Sequence, residues 1–495
     1  MQDNTQLAAI DLGSNSFRLE IGRFEHEQLQ RVEYIKETVR QGSGLDKDRH
    51  LSMDAMQRGW DCLARFSERL TGFKKKQVRV VATQTLREAR NRDVFLAKGQ
   101  EILGFPIDVV SGKEEARLIY LGVSHLLPQS PERRLVIDIG GRSTELILGK
   151  GYTAQTMESY RVGSVTWSMK YFADGEVSKE AFHQAEVAAK AVLDEALNTY
   201  AKRHWDNVYG SSGTVGAIGD LLMGLGYSAH EINRKGLTQV KEILQKSGRM
   251  DRVRLEGLKD DRRAVLCGGL AVLSALFDLL NIDTLLVAEG ALRQGVLYDM
   301  VERAYNATDV RSNTVARMVS TFRVDPLQAQ RVTRIAQTLF EQIMPRQDIP
   351  MFDSLKRQLG WAGQLHEIGS HISHSDYHKH GAYILENIDA IGFSQHELHQ
   401  LGLLVLGHKG KLKKLGEHLS DGTFFYQLLA LRLAVIACHA RANPDWSAVR
   451  LSLKNNSVTL QVPSYWMQTY PQSIHLLKQE IEAWQKSPWV FKLEI

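Results

Sequence analysis

Twice in this chain of 495 residues an apolar run stops at an Asp-x-Gly turn and resumes as an alternating pattern. Residues 7–10 (LAAI) lead into Asp11 and Gly13, and beyond Ser14, Asn15 and Ser16 the alternation Phe17, Leu19, Ile21 begins. Residues 135–139 carry the second copy around Asp138, followed by Gly140, Gly141, Arg142, Ser143 and Thr144, with Leu146 and Leu148 alternating afterwards. A short apolar run bounded by a turn reads as a buried strand, and period-two alternation as a second strand, so each copy predicts strand, tight turn, strand. That order differs from the strand, loop and helix of a Walker or Rossmann motif. Between the copies, spacing and caps predict an amphipathic helix over 52–70 capped by Ser52, a strand over 78–82, a helix, and a strand over 107–110. The second turn opens a comparable series, so two duplicated zones are expected, 1–121 and 122–303. In it, the apolar stretch 264–280, interrupted by Gly268, Gly269 and Asp278, reads as a buried helix. From 304 to 442 helical spacing replaces strand signals; in the tail, 443–495, alternation on both sides of Asn455 and Asn456 predicts a hairpin, with a helix over 474–484.

The turns carry chemistry because glycine lets successive backbone N–H groups converge on one point, forming an anion nest. The hydroxyl and amide side chains after each Asp add donors, and Asp11 and Asp138 suit a hydrated Mg²⁺ held against phosphate oxygens. One such turn is also a common hairpin connection. Two copies with hydroxyl-rich sequels predict a pair of nests on one phosphorylated ligand.

In VVSGKEEARLIYLG, Ser111 followed by Glu114 predicts a capping box that opens a helix at Gly112 and assigns Glu114 to the cap. Glu115, one residue on, is free of that duty and is the candidate general base for water, against the plainer reading of a solvated first-turn glutamate. VYGSSGTVGA aims the amides after Ser211 at an anion, through Ser212, Gly213 and Thr214, at a helix start. The glycine turn at Gly290 is a weaker candidate of the same kind. Thr83 ends a strand and Arg87 offers a fork that suits phosphate.

Composition adds limits. With 43% apolar and 24% charged residues the chain is ordinary globular protein, and a net charge of +5 falls far short of a nucleic-acid coat. Cys62, Cys267 and Cys438 are odd in number and far apart, which with the absence of a signal-like opening in MQDNTQ predicts a cytoplasmic protein.

The ordered set AAIDLGSNSFRL, ATQTLREARN, SGKEEARLIYLG, VIDIGGRSTEL, GSSGTVGA and ALRQGVLY resembles the exopolyphosphatase and guanosine pentaphosphate phosphohydrolase family over about the first 300 residues. The resemblance implies an α/β fold of two ribonuclease-H-like lobes of the actin and sugar-kinase superfamily, then an all-α HD-like domain and a small α+β domain. It implies that Glu115 is the catalytic base, that Asp138 and Glu145 lie at Mg²⁺ or the water, and that Asp11, Gly13, Ser14, Asn15, Ser16, Thr83, Arg87, Gly140, Gly141, Ser143 and Thr144 surround the terminal phosphates. Mg²⁺ is the implied cofactor, with K⁺ stimulation left open; a homodimer is expected, and a peripheral place at the inner membrane stays open. Arg142 stands where the family usually has a third glycine, which puts that close approach in doubt and offers a guanidinium to phosphate instead. In LHEIGSHISHSDYHKHGAYIL, His366-Glu367 replaces the His-Asp pair of an active HD enzyme, so a lost metal site is expected.

Eight of the 17 histidines fall within 366–408, without cysteine and without a tetrahedral zinc spacing. His378, His380, Lys409, Lys411, Lys413 and Lys414 are candidates for a basic path along a long anion, against a solvated face. On these grounds the first expectation is release of terminal phosphate from polyphosphate; the second is conversion of guanosine pentaphosphate (pppGpp) to the tetraphosphate (ppGpp). A sugar or acetate kinase shares the twin turns, and a non-catalytic polyphosphate or alarmone sensor is a third class.

Overall fold

The computed structural model describes residues 4–25, 28–228, 230–305, 309–344, 349–443, 445–485 and 487–495, which leaves the first half of the opening MQDNTQ outside the described residues. The chain divides into two compact units, Met1–Thr308 and Asp309–Ile495. In the first, β1 (Thr5–Leu12), β2 (Ser16–Glu25), β3 (Gln28–Thr38), β4 (Val78–Ala82) and β5 (Ile107–Val109) form a sheet of order β3-β2-β1-β4-β5. The second sheet holds β6 (Arg133–Ile139), β7 (Thr144–Lys150), β8 (Thr153–Tyr160), β9 (Asn207–Ser211), β10 (Glu231–Asn233) and β11 (Thr284–Val287), in the order β10-β11-β9-β6-β7-β8. β1 is antiparallel to β2 and parallel to β4; β6 is antiparallel to β7 and parallel to β9. The expected duplication is therefore a repeated topology, with β10 added antiparallel at one edge. The two Asp-x-Gly turns are the equivalent β1–β2 and β6–β7 connections.

Each lobe has its own core. Helix Met53–Arg69, whose Ser52 cap accepts from the Ala55 N–H at 3.3 Å, buries Met56, Trp60, Leu63 and Phe66 among the side chains of the first sheet. Helix Leu266–Leu279 is the expected buried helix and packs in the second core. Among the described residues no helix is long and apolar enough to cross a membrane.

In the second unit, the expected separation of a tail at 443 does not show in the packing. Leu451, Val458, Leu460, Trp466 and Trp484 belong to the same cluster as Leu365, Leu404, Phe425 and Leu428 of the helices. The predicted hairpin is β12 (Arg450–Lys454) and β13 (Ser457–Gln461), turning at Asn455 with φ 55°, a left-handed conformation asparagine tolerates. β14 (Val490–Glu494) joins β13 in parallel after helix Pro471–Trp484, a crossover that sequence alternation did not announce.

Candidate active site

The two turns repeat one geometry and touch each other. A β-carbon on Gly13 would lie 3.0 Å from the Ser16 carbonyl oxygen, and one on Gly140 would lie 3.1 Å from that of Ser143, to which the Gly140 N–H donates at 2.9 Å. Gly141 faces the first turn, its β-carbon position 3.0 Å from the Ser14 β-carbon and 3.6 Å from the Asn15 nitrogen. Between them opens a solvent-connected cleft. The first turn contributes Asp11, Gly13, Ser14, Asn15 and Ser16, and the second Asp138, Gly140, Gly141 and Ser143. Thr83 and Glu115 line it too, as do Ser212, Gly213 and Thr214 at the start of helix Ser212–Gly224. Ser212 holds φ 87°, a strained value for a residue with a side chain, at the point where β9 ends and the helix begins.

Helix Gly112–His125 carries the two glutamates, and here the expected division of labour changes. The Ser111 hydroxyl caps the helix by accepting from the Glu114 N–H at 3.2 Å. The Glu114 carboxylate, however, is fully buried and accepts from Arg117 Nε and Nη2 at 2.8 and 2.9 Å. Arg117 also donates to Asp299 at 2.6 Å, Arg79 pairs with Asp299, and the Arg79 Nη2 lies 3.8 Å from Glu114. Glu114 is thus an anchor in a buried ion network and not chiefly a cap.

Glu115 reaches the cleft, where Arg87 Nη1 donates to it at 3.2 Å. Burial pushes its carboxyl up to about 7; Arg87 opposes the shift, and Asp11 and Asp138 add to it. Asp138 is pushed up to about 6 by burial, against the pull of the Ser211 hydroxyl and Arg18. Glu145, the register partner of Asp138, is held well above the carboxylate range by burial, then by Glu115 and Asp138, and accepts from Ser159 at 2.7 Å. It lies behind the cleft wall. Like-charged acids held close together and dry raise one another's pKa, and such a set is stabilised by a cation.

Three arginines that sequence reading did not single out converge here. Arg18 and Arg262 line the cleft, and Arg293 lies beside it. Arg18 lies 3.4 Å and Arg293 3.8 Å from Asp11, and Arg262 packs against Gly213. Burial first and then Arg18 lower the pKa of both Arg262 and Arg293. Asn15 Nδ2, Ser16 Oγ, Arg18 Nε and Arg293 Nη1 are buried with no hydrogen-bond partner. Buried donors normally find acceptors, so this wall matches the chemistry of an anion. Arg18 and Arg293 had a signal, since they lie in the segments AAIDLGSNSFRL and ALRQGVLY, and Arg18 is also the β2 partner of Asp11; Arg262 had none.

Other expected contacts lie off the cleft wall. The Thr144 hydroxyl is buried and donates to the Val162 carbonyl at 2.6 Å. Gly290 is a packing glycine, its missing side chain making room for the Gly122 carbonyl. Arg142, expected as a phosphate ligand, turns instead to Glu88 and the Gly42 carbonyl. In the second unit His378 is buried, His380 and Lys414 are half-buried, and Lys409, Lys411 and Lys413 are exposed. His366 is buried with Nδ1 2.7 Å from the Gly363 carbonyl, while Glu367 accepts from Arg441 at 2.6 Å. Among the described residues no three His, Cys, Asp or Glu side chains form a ready metal cage.

Known proteins resemble this chain over nearly its whole length. The Ppx/GppA phosphatase family model matches residues 21–304, and the model for domain III of the same phosphatases matches residues 310–483. A guanosine-5'-triphosphate,3'-diphosphate pyrophosphatase of Vibrio atlanticus is 38% identical over 491 residues, covering 98% of each chain. An exopolyphosphatase-like protein of known structure is 26% identical with a TM-score of 0.56, covering 60% of this chain and 98% of its own. The Aquifex aeolicus Ppx/GppA family member is 24% identical with a TM-score of 0.51, covering 61% and 99%, a likeness of fold. The chain belongs to the Ppx/GppA phosphatase family and is a phosphoanhydride hydrolase.

Proposed function

We propose that this hydrolase removes the 5′-terminal phosphate of pppGpp to leave ppGpp. The observation that carries the choice is the end-to-end match to relatives named as pyrophosphatases of that nucleotide. It reverses the order expected from the sequence, where polyphosphate came first. Polyphosphate remains the second reading, favoured by a wall of nests and arginines that recognises phosphate without needing a base or sugar. Hydrolase relatives leave no support for the kinase and sensor readings.

In this reading the terminal phosphate lies between the two turns, with their backbone N–H groups and the Ser14, Asn15, Ser16 and Ser143 side chains as donors. Arg18 and Arg262 face the rest of the polyanion. Glu115 accepts a proton from the attacking water, a role that suits a carboxyl poised at about 7. Asp11 and Asp138 on the cleft wall fit Mg²⁺, which binds through one or two carboxylates plus substrate phosphates and needs no protein cage, with Glu145 behind Asp138 adding negative charge. When bound, Mg²⁺ neutralises phosphate charge. The second unit is proposed to be catalytically silent, because His366 and Glu367 are both engaged by protein groups. The experiment is a comparison of phosphate release from pppGpp and long polyphosphate with separation of the nucleotide products. Faster turnover of pppGpp to ppGpp is expected; exclusive turnover of polyphosphate restores the other order.

A further inference from the structure

We infer that Arg142 is a positioning residue: through Glu88 and Gln84 it sets the orientation of Arg87, and through Arg87 that of Glu115. The inference rests on the hydrolytic role proposed for Glu115. Arg142 projects from the second turn, and its Nε and Nη2 donate to one oxygen of Glu88 at 3.3 and 3.0 Å. The other Glu88 oxygen accepts from the Gln84 side-chain amide at 2.6 Å. The Gln84 carbonyl oxygen accepts from Arg87 Nε at 3.1 Å and also from its Nη2. Arg87 Nη1 is left to donate to the Val110 carbonyl at 2.7 Å and to Glu115 at 3.2 Å. The hydrogen bonds run unbroken from the second turn, across helix Gln84–Glu88, to the base. Arg142 Nη1 adds a bond to the Gly42 carbonyl at 3.0 Å, and the Gly42 N–H donates to the Ser14 carbonyl at 2.7 Å, so the same guanidinium also ties to the first turn.

Charge and burial give the chain its direction. The side chains of Arg142, Glu88, Arg87 and Glu115 are 18, 11, 14 and 10% exposed, so these bonds act in a medium that screens them weakly. Glu88 needs a cation. With Arg142 in place it has a bonded one, and it can hold the Gln84 amide with its oxygen toward Arg87. Among the described residues the cation left beside Glu88 without Arg142 is Arg161, 3.7 Å away and 67% exposed, and Glu88 then competes with Glu115 for Arg87. A base displaced by even a fraction of an ångström loses its alignment with the water.

The test uses the full chain, with pppGpp as substrate, and compares wild type, Arg142→Gly, Arg142→Lys, Glu88→Gln and Arg142→Gly/Glu88→Gln. Arg142→Gly is expected to lower kcat by roughly tenfold or more, as misplacement of a catalytic group does, with KM nearly unchanged. The double variant is expected to recover most of kcat, because no unpaired carboxylate then draws on Arg87. Arg142→Lys should fall between, lacking the fork. A rise in KM at unchanged kcat overturns the inference in favour of direct phosphate contact, as does a double variant no faster than Arg142→Gly. A thermal-unfolding cycle of Arg142→Gly with Gln84→Ala reads the same connection without turnover. Non-additive shifts in melting temperature support it, and strict additivity overturns it. If wild type released no phosphate from pppGpp or polyphosphate, the functional reading would fall while this cycle still decided the tether.

Discussion

Gly141 and Ser14 meet across the cleft so closely that a β-carbon on the glycine would stand 3.0 Å from that of the serine, and 3.1 Å from a methyl of Val165. At this point the two turns are in contact, beside the cleft that opens between them. Gly141→Ala is expected to push them apart. Overpacking of this kind costs about 1–3 kcal/mol, so a lower melting temperature should accompany a raised KM; an unchanged KM would show that the spacing does not govern phosphate binding.

The paired glutamates at the start of helix Gly112–His125 separate by role. Glu114→Ala leaves the buried Arg117 and Arg79 short of a carboxylate, and removing one member of a buried ion pair costs about 3–5 kcal/mol. A large fall in melting temperature is expected, with much of the turnover per folded molecule retained. This replaces the smaller loss a capping residue alone would give. Melting curves and rates on the same preparation of Glu114→Ala decide between them.

Acid groups raised by burial carry a pH signature. Glu115 moves from 4.5 to about 7 and Asp138 from 3.8 to about 6, so the folded state holds protons that the unfolded state releases. Stability from these groups is present below the ordinary carboxylate values and is lost as pH rises through about 6 to 7. In metal-free protein treated with a chelator, the melting temperature is expected to fall over that window, and Glu115→Gln should flatten the dependence. Turnover should rise over the same window, because the base acts deprotonated. Asp299 behaves oppositely, since Arg117, Arg303 and Arg79 together hold it far below its usual value against burial.

What the sequence disclosed was local. The twin turns, the strand Val78–Ala82, the Ser52 and Ser111 caps and the Asn455 hairpin all follow from residues within a few positions of one another. What it withheld depended on distant partners. Glu114 looked like a cap because its true partners include Arg79 and, through Arg117, Asp299, which lie far off in the chain. Arg18, Arg262 and Arg293 converge only when both lobes are folded, and Arg142 reads as a phosphate ligand until Glu88 is seen beside it. The Gln84 and Glu88 pair, spaced one helical turn apart, is by contrast local and legible in the sequence.

The second unit gives a negative expectation. His366→Ala opens a buried site and should lower the melting temperature, while phosphate release per folded molecule stays within a few-fold of wild type. Elemental analysis should find no stoichiometric transition metal. A tightly bound metal lost together with activity in this variant would show that the His366–Glu367 pair takes part in catalysis.

The most direct measurement is the single-turnover rate of phosphate release from pppGpp by wild type and Glu115→Gln at saturating substrate. Loss of a general base lowers the rate by about 10²–10⁴-fold, so a fall of at least two orders of magnitude is expected, with ppGpp as the wild-type product and substrate still bound by the variant. A Glu115→Gln rate within a few-fold of wild type would contradict the assignment of Glu115 as the base.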